Sequence, residues 1–98
     1  MDKDKEITFR RYLILRILKE NIGNYTVYWL RNQMSKEGLS IHEKQVRRIV
    51  ANMILEGLLI FTKGKKKNSK FIYITEKGIK EFNRLHLKMR LLLNKVYS

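Results

Sequence analysis

Between Lys44 and Asn52 the chain carries five side chains able to read the edges of bases: Lys44, Gln45, Arg47, Arg48 and Asn52. At about 100 degrees per helical residue, Lys44 and Arg48 fall on one face with Gln45, Arg47 and Asn52 at its flanks, opposite Val46, Ile49, Val50 and Met53. Arginine forks onto guanine O6 and N7, and glutamine or asparagine pairs with adenine N6 and N7. The alternative is an ordinary solvated helix face. A second cluster, Lys63, Lys65, Lys66, Lys67 and Lys70, crowds one short stretch. Its mutual repulsion is relieved by phosphates, to which lysines add affinity without sequence information. Guarding a sheet edge against aggregation would need only one or two of them. Thr26 and Ser40 each precede a candidate helix, and helix N-termini suit phosphate oxygens.

Other chemistry finds no support. There is no cysteine, which removes disulfides, thiolate metal sites and cysteine nucleophiles together. His42 and His86 are far apart with no carboxylate at ligand spacing, and neither a phosphate-cradling glycine loop nor a nucleophile motif occurs. No catalytic residue, metal or cofactor is expected. His42 lies nearer the core side of its helix, where packing or a phosphate contact suits it better than base readout. Tyr28 and Trp29 are read as core aromatics rather than stacking platforms.

The balance of 22 Lys and Arg against 9 Asp and Glu, net +13 over 98 residues, calls for a polyanionic partner. Nucleic acid comes first. An anionic membrane surface is weaker, because the last helix is basic around its circumference and lacks a segregated apolar face. Residues 1–6 alternate in charge, and Arg10, Arg11 and Arg16 interrupt the apolar stretch behind them, so neither a signal peptide nor a membrane span is read there. The expected location is the cytoplasm.

These residues need elements to hold them. Leu13, Ile14, Ile17 and Leu18 predict a first helix over 7–21, closed by Gly23 and Asn24 in left-handed conformation. Thr26 caps a second, with Val27, Leu30 and Met34 as its apolar stripe and Gly38 as its stop. Ser40 and Glu43 form an S-x-x-E capping box that starts a third helix at Ile41, and Gly57 with Leu58 ends it in a Schellman turn. The period then changes to two over 58–63 and 70–74, a hairpin whose basic tip is 64–69. Thr75 and Glu76 restart a helix running almost to Ser98, in which Phe82, Leu85, Met89, Leu92 and Val96 repeat at 3, 4, 3 and 4 residues, the seam of helix pairing. Packing on the same chain is the other use of that stripe. Leu87, Leu91 and Leu93 leave more apolar surface than one small core covers, which favours a homodimer.

The expectation is one mainly α (α+β) domain over 1–98: a loose start at 1–6, a helix-turn-helix at 26–56, a wing at 58–74 and a C-terminal dimerisation helix at 75–97. The run Ser40 to Val50, the passage Glu56-Gly57-Leu58-Leu59 and the passage Tyr73-Ile74-Thr75-Glu76-Lys77-Gly78 resemble the winged helix-turn-helix regulators of the MarR and PadR type, compact archaeal and archaeal-virus forms included. The likeness spans about Leu13 to Ile79. It implies that the helix from Ile41 to Glu56 enters the major groove, that the hairpin lies on backbone or minor groove, and that the terminal helices dimerise. The wing lacks the acidic residue and following arginine usual in MarR proteins, and the shorter chain lacks the helix length that shapes an effector pocket, so no small-molecule effector is expected. The resulting reading is a sequence-specific double-stranded DNA-binding transcriptional regulator, a repressor by occlusion. A non-specific chromatin-like DNA binder and an RNA- or protein-binding winged helix are the rivals.

Overall fold

Tyr12, Leu13, Ile14, Leu15, Ile17 and Leu18 are all buried, so the second half of α1 (Lys3–Glu20) sits in the middle of the fold, while Ile7 and Phe9 nearer its start are exposed. The computed structural model describes residues 3–21, 23, 25–64 and 70–97, with side chains described over 5–21, 23, 25–64 and 70–91. Around α1 are arranged α2 (Val27–Lys36), α3 (Glu43–Leu55), the strands β1 (Leu59–Lys63) and β2 (Lys70–Ile74), and α4 (Glu76–Tyr97). The strands pair antiparallel from Leu59 opposite Ile74 to Lys63 opposite Lys70. Tyr25, just before α2, adds a bridge to Ile72, whose N–H donates to the Tyr25 carbonyl at 2.9 Å. The hairpin base is thereby tied to the start of α2.

The core joins every element. Leu30 and Met34 of α2, Val46, Val50 and Met53 of α3, Leu59 and Ile72 of the hairpin and Phe82 and Leu85 of α4 close on α1. Each buried aliphatic of this size contributes roughly 1.5–3 kcal/mol relative to exposure. Tyr12 stacks on Phe82 at 5.4 Å between ring centroids, and its hydroxyl shares a hydrogen bond of 2.8 Å with His86 Nδ1. His86 thus serves the α1–α4 contact.

Helices α2 and α3 end alike. Gly38 (φ +89°) follows α2 with Gly38 N–H on Ser35 O and Leu39 N–H on Met34 O, both at 3.0 Å. Gly57 (φ +79°) follows α3 with Gly57 N–H on Ile54 O and Leu58 N–H on Met53 O, both at 2.9 Å. These are the paired bonds of the Schellman motif, expected at Gly57 and repeated at Gly38.

Several expectations need correction. Helix α1 begins at Lys3, earlier than the expected 7, and Glu6 pairs with Arg10 at 2.7 Å. Gly23 is not in the left-handed region; its bareness accommodates the Tyr25 ring, which an added Cβ would meet at 2.9 Å. Asn24 lies outside the described residues. Helix α3 starts at Glu43 with His42 as N-cap, two residues later than the Ser40–Glu43 box implied. The reason is Ile41: its buried side chain and its carbonyl, which accepts from Arg31 Nε at 3.2 Å, hold that stretch extended. Gln45, not Glu43, reaches back, its Oε1 accepting from His42 N–H at a long 3.4 Å. Finally, Phe82 and Leu85 of the 3-4-3-4 seam are buried against their own chain, with Met89 half-buried beside them. The side chains of Leu92 and Val96 lie outside the described residues.

Candidate nucleic-acid interface

Helix α3 holds its inner face by Val46, Val50 and Met53, all at 0% exposure, with Ile49 half-buried among them. The opposite side is therefore turned to solvent. Lys44, Gln45, Arg47, Arg48 and Asn52 are all exposed there, where the helical wheel placed them. Two residues that sequence reasoning passed over share the middle of this face. Lys44, Arg48, Ala51 and Leu55 fall within an arc of about 60 degrees at 100 degrees per residue, and Leu55 is 85% exposed. The signal was present in the 4-3-4 spacing, but an alanine and a leucine were not sought among charges.

Charge partners sort the arginines. The five described ion pairs, Arg10–Glu6, Arg11–Glu56, Arg16–Glu37, Arg47–Glu43 and Arg84–Glu81, all use arginine. Arg47 thus has an i,i+4 partner at 2.9 Å, an exposed pair worth a few tenths of a kcal/mol that a stronger anion can displace. Lys44 and Arg48 have no ion-pair partner among the described residues. The centre of the outward face is left as uncompensated positive charge.

Behind that face a polar network fixes the exit of α3. Arg11 Nη2 donates to Glu56 Oε2 at 2.5 Å, and Lys77 Nζ donates to the Glu56 carbonyl at 2.8 Å, so α1 and α4 both grip the C-cap of α3. Arg84 hydrogen-bonds Glu81 one turn along α4 and holds its carboxyl below the usual range; burial opposes the shift, and the nearby positive charges of Arg84, Arg11 and Lys77 reinforce it. Thr75 is the clasp. Its N–H reaches Leu58 O at 3.0 Å, its hydroxyl points at Gly57 O (2.6 Å) and Leu58 O (3.0 Å), and its Oγ1 accepts from Gly78 N–H at 3.0 Å to cap α4.

In the hairpin, Lys63 and Lys70 are exposed and stand directly opposite each other, a like-charge pair that destabilises a ladder unless an anion comes between. Lys70 Nζ lies 5.7 Å from the Phe61 ring centroid. Lys65, Lys66 and Lys67 lie outside the described residues. Thr26 is an N-cap as expected, its Oγ1 accepting from Trp29 N–H at 3.1 Å. Ser40 is exposed but stands two residues before the α3 cap, so helix-end geometry does not apply to it. His42 is exposed at that cap rather than turned to the core. Trp29 packs on the core and stacks with Tyr25 at 3.7 Å, whereas Tyr28 is 61% exposed and is no core residue.

Among the described residues no group of three His, Asp or Glu side chains is placed to hold a metal. None of their helices is long and apolar enough to cross a membrane.

No protein-family model and no curated protein matches the chain. Solved structures do. A transcriptional regulator from Clostridium thermocellum superposes with a TM-score of 0.83 at 18% identity, over 99% of this chain and 95% of its own. A winged-helix DNA-binding protein from STIV gives 0.73 at 24% identity, over 84% and 88%. Bacillus subtilis PadR in complex with operator DNA gives 0.64 at 21% identity, over 78% of this chain and 46% of its own. The fold is a winged helix with a long C-terminal helix.

Proposed function

From a winged-helix fold whose third helix turns Lys44 and Arg48 outward with no ion-pair partner among the described residues, we propose that the chain is a sequence-specific double-stranded DNA-binding transcriptional regulator. Helix α3 lies in the major groove, where Lys44 and Arg48 read bases with Gln45, Arg47 and Asn52 at the margins. The wing lysines Lys63, Lys65, Lys66, Lys67 and Lys70 lie on the phosphate backbone, and Thr26 presents the N-terminus of α2 to it. Regulation is repression by occlusion. The observation that carries the reading is the uncompensated cationic centre of the α3 outward face. The structural neighbours, a DNA-binding protein and an operator complex among them, agree with it.

The protein acts as a homodimer through α4. About 33 Å long at 1.5 Å per residue, this helix exceeds what the body covers: Phe82 and Leu85 are buried, while Leu87 (59% exposed) and Leu91 (55%) face out on the other side. Ile7 (45%) and Phe9 (39%) of α1 add to the uncovered apolar surface. By sequence spacing alone, Leu92 and Val96 extend the stripe of Phe82, Leu85 and Met89 toward the end of α4 and are assigned to the same dimer contact. Two-fold symmetry then sets a pair of α3 helices at grooves roughly 34–36 Å apart.

Selection of bound duplexes from a random pool tests this. The expected product is one near-palindromic motif with half-sites about one helical turn apart. The lysine excess outside α3 favours a second reading, a coating protein indifferent to sequence; enrichment of unrelated sequences would establish that instead.

A further inference from the structure

We propose that α3 reads thymine as well as guanine, Leu55 and its neighbour Ala51 contacting the 5-methyl groups of thymines on the far side of the site from the base read by Arg48. The inference rests on the groove assignment of α3 made above and concerns what that helix selects. Leu55 is 85% exposed, the highest value among the described large apolar residues. A lone exposed leucine is ordinary. Its position is what matters: at about 100 degrees per residue it stands only some 20 degrees from Lys44 around the helix, in the middle of the outward face.

Its neighbours in sequence are committed elsewhere. Ile54 packs on the core, and Glu56 is held by Arg11 and Lys77. The Leu55 side chain supports nothing in the fold, and the stripe changes character along its length, from cationic at Lys44 and Arg48 to aliphatic at Ala51 and Leu55. Neither aliphatic side chain can hydrogen-bond a base edge. The apolar group that the major groove displays is the thymine methyl, and small aliphatic side chains are its natural contacts. From Arg48 to Leu55 the helix rises about 10 Å, or about three steps of duplex at 3.4 Å each. The methyl therefore belongs to a base pair about three steps from the Arg48 guanine, repeated by symmetry in each half-site.

The test uses the full chain and the duplex recovered by selection, with each thymine in turn replaced by uracil. Uracil keeps every hydrogen-bonding edge and removes only the methyl. Wild-type protein should lose about fourfold in affinity at one or two positions per half-site, the effect of one buried methyl-sized group. Leu55→Gln should show no further loss at those positions, and because Leu55 packs on nothing, its thermal unfolding should match wild type. A uniform response to uracil in wild type, with the duplex still preferred over random sequence, overturns the thymine assignment and leaves α3 as the reader; Leu55 then faces another macromolecule or water. Persistence of the uracil effect in Leu55→Gln overturns the assignment to Leu55. Absence of any preferred duplex removes the groove reading itself, and this inference with it.

Discussion

A Cβ added at Gly78 would come within 2.2 Å of the Leu58 carbonyl oxygen and 2.8 Å of Ile74 Cγ1. The first turn of α4 is pressed onto the base of the wing so closely that only glycine fits, and that contact brings Thr75 to Gly57 and Lys77 to Glu56. Gly78→Ala should therefore destabilise the fold by about 2–3 kcal/mol, as overpacking against backbone does; chemical denaturation measures it, and an unchanged midpoint would show that the two segments are not in contact. The importance of Tyr73-Ile74-Thr75-Glu76-Lys77-Gly78 was legible in the sequence as a resemblance. Its physical cause was not, because nothing in the string of letters shows that Thr75 reaches back across 17 residues. The same limit applied at Ser40. The Ser40–Glu43 signature put the start two residues early because the burial of Ile41 cannot be read from the letters, whereas the exposure of Lys44 and Arg48 follows from the helical period alone.

Elements with a strong period and a glycine stop were legible almost to the residue. The α2 and α3 ends at Gly38 and Gly57 and both strands of the hairpin follow from spacing alone. Helix α1 was less so: with six consecutive or near-consecutive apolar residues buried, it has no polar face over 12–15 to define its orientation. Helix α4 was legible in extent but not in use, since a heptad stripe looks the same whether its own chain or another covers it, and Phe82 and Leu85 are covered by their own. Its buried half packs on α1, so the proposed dimer would use what remains. Leu87→Glu combined with Leu91→Glu should convert the dimer to monomers in sedimentation equilibrium without loss of helical content. Operator affinity should fall by roughly 10²-fold or more as two linked contacts become one. A dimer that persists would place the interface elsewhere.

At the scale of the whole molecule, charge is arranged rather than spread. The five described ion pairs all take arginines, and among the described residues Lys44, Lys63 and Lys70 stand exposed outside them, as the proposed contact with a polyanion requires. If about six to ten phosphates are neutralised per dimer, log affinity should fall against log salt with a slope of about −5 to −9; a slope near −1 would exclude the wing from the contact. The net charge set the expectation of a polyanion, but only the fold shows which cations are already paired inside the protein. The central claim is that the outward face of α3 selects sequence. The measurement that tests it most directly is the ratio of affinities for the selected duplex and for random duplex, compared between wild type and Lys44→Ala, Arg48→Ala. The ratio should drop by about 1–3 kcal/mol for each base contact removed, while binding to random duplex weakens only modestly. A ratio unchanged by the double substitution would contradict the account.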